Sequence, residues 1–127
     1  MTTRKRGRLN GKALALSLAT AMNDKKGEEV RVLDLHGVCG FADYFVLATG
    51  GSDRHVRALA DAALEAAARG GAKALGVEGK SVGRWVLVDL GDIVVHVFSD
   101  EARDYFGIER LWGDAEELAV GVAGAAS

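Results

Sequence analysis

The sequence of 127 residues has no proline, one cysteine, eight aromatic residues and almost no net charge. Each shortage excludes something. A single cysteine, Cys39, cannot close an internal disulfide, which removes the small secreted domains stapled by such bonds. Without proline, the turns must be made by Asn, Asp and the 17 glycines. Sixteen Lys and Arg against eighteen Asp and Glu give a formal charge of −2, so bulk charge does not indicate a strongly basic nucleic-acid binder. The apolar-leaning stretch at 13–22 is too short to cross a bilayer, and the basic N-terminus lacks a cleavage-site pattern. What remains is 49% hydrophobic and 27% charged, enough for one domain with a buried core. The expectation is a soluble, cytoplasmic, single-domain protein.

The charge is polarised along the chain. Residues 1–85 hold 14 basic and 9 acidic side chains, net +5, while residues 86–127 hold 2 and 9, net −7. Arg4, Lys5, Arg6 and Arg8 make residues 1–9 a flexible basic arm, which is either solubilising or a direct RNA contact.

Hydrophobic spacing divides the rest. From Asn10, a candidate N-cap, Leu14, Leu18 and Ala21 share a helical face, and 24–27 ends it. Residues 29–35 read as a strand and 36–40 as a turn. The apolar run 43–49 suits a strand buried on both faces. Gly50-Gly51-Ser52-Asp53 breaks it. A helix then runs to about Arg69, with Val56, Leu59, Ala60, Ala63, Leu64 and Ala67 on one face and Gly70-Gly71 as its stop. Residues 73–78 suggest a short edge strand. Strands at 85–89 and 93–98, joined by Leu90-Gly91-Asp92, suggest an antiparallel hairpin. Residues 100–111 look helical, with Ile108, Leu111 and Trp112 as a stripe, and 115–127 are expected to be a frayed Ala/Gly tail. The order α-β-β-α-β-β-β-α predicts an α/β domain of the α+β type, with a mixed sheet of about five strands and helices packed on it.

Catalytic patterns are incomplete. Gly50-Gly51-Ser52 sits where backbone amides between a strand and a helix can cradle a phosphate, but neither a P-loop nor a dinucleotide fingerprint follows. Turn and cap is the commoner use of such residues. Two-metal phosphoryl transfer needs convergent carboxylates. Asp61 and Glu65 are one helical turn apart, and Asp89 and Asp92 flank a hairpin turn, so neither pair fits. His36, His55 and His96 have no metal-ligand spacing, and Cys39 has no cysteine two to four residues away. No metal or cofactor is expected. His96 shares a strand face with Val94 and Phe98, where it reads as a core-edge histidine bonded to a neighbour.

Five of the eight aromatics, Trp85, Phe98, Tyr105, Phe106 and Trp112, lie beyond residue 84. Tryptophan beside polar, glycine-containing sequence is a frequent interface anchor. Trp85 opens the strand that comes after such a segment, Glu78-Gly79-Lys80-Ser81-Val82-Gly83.

Two blocks carry a family likeness. Asp43-Tyr44-Phe45-Val46-Leu47-Ala48-Thr49-Gly50 with Ser52-Asp53-Arg54-His55-Val56 is the first. Glu78-Gly79, the run from Trp85 to Phe98, Arg103 and Glu109-Arg110-Leu111-Trp112 make the second. Together they resemble the ribosomal silencing factors, the RsfS or Iojap family, over about residues 10–114. The family usually has Tyr at Phe106 and a Ser-containing turn where this chain has Val38-Cys39-Gly40.

The resemblance implies a nucleotidyltransferase-like fold without the catalytic carboxylates, and a non-enzymatic, cofactor-free translation repressor. Such a factor binds the large ribosomal subunit through its fourteenth ribosomal protein. It blocks joining of the small subunit when nutrients are scarce, and it forms homodimers. Glu78, Trp85, Asp89 and His96 are the expected partner-binding set. Asp43, Tyr44, Arg103 and Glu109 match family positions as either partner contacts or fold supports. The other readings from the residues are a nucleotide-binding enzyme of nucleotidyltransferase type and an RNA binder acting through the arm.

Overall fold

A computed structural model describes residues 10–38, 40–102 and 115–120. The basic arm, Cys39, Arg103, Glu109 and the stripe of Ile108, Leu111 and Trp112 lie outside the described residues.

Helix α1 (Gly11–Asp24) starts at Asn10, whose side chain accepts a hydrogen bond from the Ala13 amide at 2.8 Å. This satisfies one of the donors that a helix start leaves open. Leu14, Leu18 and Met22 recur every fourth residue and are fully buried. Strand β1 (Glu28–Asp34) turns back antiparallel into β2 (Tyr44–Gly50), in which all seven residues are buried. Ser52 caps α2 (Asp53–Arg69) by accepting from the His55 amide. Strands β3 (Gly76–Glu78), β4 (Trp85–Asp89) and β5 (Ile93–Ser99) follow, and β4 and β5 form the expected antiparallel hairpin. The chain is helical again at 100–102, where Ser99 Oγ accepts from the Ala102 amide.

The sheet runs β3-β4-β5-β2-β1 and ends with a sixth strand, β6 (Glu116–Leu118). This corrects the expectation of a frayed tail at 116–118. Glu-Glu-Leu carries no alternation that marks a strand, so the tie is tertiary. β6 pairs antiparallel with β1, and Arg31 grips Glu117 through two bonds, Nε to Oε2 at 3.1 Å and Nη2 to Oε1 at 2.6 Å. The partners lie 86 residues apart in sequence, beyond the reach of local pattern.

At the centre β2 pairs parallel with β5, from Tyr44 opposite Ile93 to Gly50 opposite Ser99. A parallel pair requires a crossover, and α2 supplies it. Both helices pack on one face of the sheet, against Val46, Ala48, Val86, Val88, Val95 and Val97. Alternation puts Phe45, Leu47, Val94, His96 and Phe98 on the opposite face, with Trp85 and Leu87 packed at its margin.

The backbone also fits closely where β2 hands over to α2. A Cβ added at Gly50 would stand 2.8 Å from the Val56 amide nitrogen and 2.9 Å from Val56 Cγ2, whereas one added at Gly51 would meet nothing. Gly50→Ala should therefore lower unfolding stability by about 1–3 kcal/mol in urea titrations. Gly51→Ala should change it by less than about 0.5 kcal/mol. Equal stabilities would contradict the close approach.

Candidate functional site

The hairpin β4–β5 positions the site. β4 alternates strictly: Val86 and Val88 are buried under the helices, while Trp85, Leu87 and Asp89 are half-buried on the other face. Beside it, β3 pairs antiparallel with β4 and sets Glu78 opposite Leu87. Glu78, Gly79, Trp85 and Leu87 line an open cleft of about 300 Å³. Gly79 has φ of +85°, and a Cβ there would collide with the Trp85 carbonyl oxygen. Only glycine lets the chain leave β3 this close to Trp85.

Beneath the cleft lies an aromatic cluster. Trp85 is opposite Phe98 in the hairpin register, and Leu87 is opposite His96. The Trp85 ring lies 5.2 Å from Phe98 and 5.9 Å from His96, and Phe45 meets His96 edge to face at 4.6 Å. Trp85 Nε1 donates to His96 Nδ1 at 3.1 Å. The imidazole therefore carries its proton on Nε2, an atom that is buried without a hydrogen-bond partner among the described residues. Burial pushes the His96 pKa down to about 4.

The four residues expected at the partner surface thus separate. Glu78 and Trp85 meet at one cleft. His96, only 4% exposed, stands under Trp85 and is not a surface residue. Asp89 shares the Trp85 face but lies four residues along β4, about 13 Å away, and its Oδ1 accepts from the Gly91 amide in the hairpin turn. Gly79 and Leu87 complete the cleft. The alternation through Trp85 already places Leu87 on its face, whereas the need for glycine at 79 comes from a contact that spacing does not show.

Asp43 and Tyr44 are at the far end of the sheet, where Tyr44 opposes Ile93. Both of their amides donate to the Asp92 carbonyl, at 2.7 and 3.1 Å, and the Tyr44 ring is buried. His36 bridges this end. Its Nδ1 is 2.6 Å from Asp34 Oδ1, its Nε2 is 3.4 Å from Asp43 Oδ1, and it meets Tyr44 edge to face. The side-chain bond to Asp34 raises the His36 pKa, and the His36 backbone amide, followed by its side chain, lowers that of Asp34. These contacts give Asp43 and Tyr44 places in the fold.

The residues weighed for phosphoryl chemistry are engaged elsewhere. The Gly51 amide donates to His55 Nδ1, and His55 Nε2 donates in turn to the Lys25 carbonyl. Asp61 pairs with Lys80 and Glu65 with Arg69, on exposed surface. Among the described residues no group of three or more His, Cys, Asp or Glu could hold a metal ion, and no helix is long and apolar enough to cross a membrane.

Residues 9–126 match the family described as "Ribosomal silencing factor during starvation". The chain belongs to this family. It is 43% identical over 107 residues to "Ribosomal silencing factor RsfS" of Bacillus subtilis, covering 84% of this chain and 91% of that one. A mitochondrial Iojap-related protein of Arabidopsis thaliana is 39% identical over 94 residues, covering 70% of this chain and 50% of the plant protein. The crystal structure of a Chromobacterium violaceum protein superposes with a TM-score of 0.80 at 37% identity, covering 94% of this chain and all of that one. A Bacillus halodurans crystal structure gives 0.72 at 36% identity, over 87% and 99% of the two chains. Ribosomal silencing factors are named for an action on ribosomes and not for a catalysed reaction. The Trp85 cleft is thus a candidate surface for that action.

The buried histidine makes this silencing factor sensitive to acid. An unfolded His96 takes up its proton near pH 6.5, and the folded one only near 4. The unfolded state therefore binds more protons between these values, and stability falls as pH drops through that window. The difference corresponds to about 3 kcal/mol at most. His36 acts in the opposite sense: its raised pKa favours the fold below pH 6.5 and that contribution is lost as pH rises. Urea titrations at pH 7 and pH 4 should show a larger loss for wild type than for His96→Asn. Equal losses would mean that His96 protonates freely in the fold.

Proposed function

We propose that this silencing factor docks on the large ribosomal subunit with the β3–β4 face and excludes the small subunit by its bulk. The partner it would grip is the fourteenth protein of the large subunit. Repression of translation under nutrient limitation follows from obstruction alone, with no catalytic group and no cofactor. The site of action on this reading is the cytoplasm.

The observation that carries the reading is the half-exposed Trp85 beside the Glu78 carboxylate, on a face whose other side is locked under two helices. A large, rigid aromatic at a cleft is the usual form of an interface hot spot. Acidic side chains complement a basic ribosomal protein: Glu78 stands in the cleft, and Asp89 lies on the same face about 13 Å further along β4. Net charge near zero argues against coating RNA but not against docking on one basic protein. The carboxylates at 61 and 65 engage neighbouring cations on the outer surface of α2, which counts against the nucleotidyltransferase alternative.

Co-sedimentation with separated subunits at moderate salt tests this. Wild type should travel with large subunits and not with small ones. Trp85→Ala should weaken that binding by about 2 kcal/mol or more, roughly thirtyfold. A folded Trp85→Ala protein that co-sediments as well as wild type would remove Trp85 as the anchor.

A further inference from the structure

His96 is a poor choice for stability alone. Its ring is 4% exposed, its Nε2 is buried without a hydrogen-bond partner among the described residues, and its neighbours Phe45 and Phe98 are apolar. Burying a polar atom without a partner is costly, and a phenylalanine of similar shape would avoid that cost. The edge-to-face contact with Phe45 compensates only weakly. What a histidine supplies here, and an apolar ring cannot, is an acceptor at Nδ1. That acceptor is used by one group, the indole N–H of Trp85.

We infer that His96 is a positioning residue: through Nδ1 it fixes the Trp85 indole in the orientation that docks. This rests on the docking reading above and deepens it. The geometry supports it from three sides. Phe98 packs against the indole from the adjacent position in the hairpin, at 5.2 Å and 36°. The His96 ring lies parallel to Phe98, at 6°, and its centroid is 5.9 Å from that of the indole, so the two rings flank Trp85 together. The hydrogen bond then restrains rotation of the indole against these rings. An anchor ordered before contact loses less conformational entropy on binding. A consequence for the partner follows. The indole donor already points inward, so the partner meets carbon surface of the ring, next to the Glu78 carboxylate. An aliphatic or cationic side chain fits that surface, and an acceptor aimed at the indole nitrogen does not.

Two variants separate this role from simple packing. His96→Phe keeps the ring volume and deletes the acceptor. His96→Asn keeps an acceptor near the Nδ1 position. Hydrogen exchange of the Trp85 indole N–H, followed by NMR of ¹⁵N-labelled protein and assigned by its loss in Trp85→Phe, reads the bond directly without any partner. Binding to isolated large subunits reads its effect. The expected result is a protected indole in wild type and His96→Asn, and an unprotected one in His96→Phe, with binding about tenfold weaker for the Phe variant. If His96→Phe does not fold, the other two proteins still decide. An indole that exchanges in wild type as freely as in an unfolded peptide overturns the inference. So does lost protection with undiminished binding in His96→Phe, provided that Trp85→Ala binds weakly. Binding that ignores Trp85→Ala defeats the docking reading instead, and the exchange data still judge the bond.

Discussion

The parallel pairing of β2 with β5 is the constraint on which everything else in this fold depends. Each strand is covered on both sides, so each needs apolar side chains at nearly every position. Tyr44 to Gly50 and Ile93 to Phe98 meet that need. Parallel neighbours cannot be joined by a tight turn. The intervening chain must leave the sheet, and it does so as α2, which returns over one face. With that face closed, the odd-numbered side chains of β5 pack under helices and the even-numbered ones, Val94, His96 and Phe98, face the other way. The hairpin partner β4 inherits the same division. Its valines must go inward, and so Trp85 and Leu87 are left on the opposite face.

The proposed docking surface is thus a by-product of core packing, sharpened by local devices. Gly79 lets β3 end against the Trp85 carbonyl. Glu78 contributes charge at the opening. His96 takes the indole donor. A bound partner would meet a face whose backbone is part of a continuous six-stranded ladder, which is the rigid setting a steric blocker requires. The other end of the sheet is fixed separately, by the Asp92 carbonyl holding the Asp43 and Tyr44 amides and by His36 between two aspartates. The family-matched Asp43 and Tyr44 and the Trp85 cleft thus lie at opposite ends of one sheet.

Much of this was legible in the residues. Asn10 and Ser52 announce their helices, because a capping side chain acts on amides three residues away. The apolar run at 43–49 declares a strand covered on both faces. The alternation of Val86 and Val88 with Trp85, Leu87 and Asp89 gives both faces of β4. The remaining features are long-range. Its strand face marks His96 as a core-edge residue and the family resemblance as a partner contact, and nothing in its neighbours says that Phe45, 51 residues earlier, covers it. Glu-Glu-Leu at β6 has too little alternation to read as a strand, and its bond to Arg31 spans most of the chain. Asp89 reads as a partner contact beside a hairpin turn, and its bond to the Gly91 amide is not visible in the spacing. The blocks that carry the family likeness identified the family, because they combine local pattern with spacing.

On the docking reading, this silencing factor acts by occupying the face of the large subunit where the small subunit docks. Light scattering during mixing of purified subunits measures joining directly. Large subunits pre-incubated with the protein should fail to join small subunits, in proportion to the fraction occupied, and should join normally once the protein is competed away by the isolated fourteenth large-subunit protein. Joining at an undiminished rate and extent, with the protein demonstrably bound to the large subunit, would rule out obstruction as its mode of action.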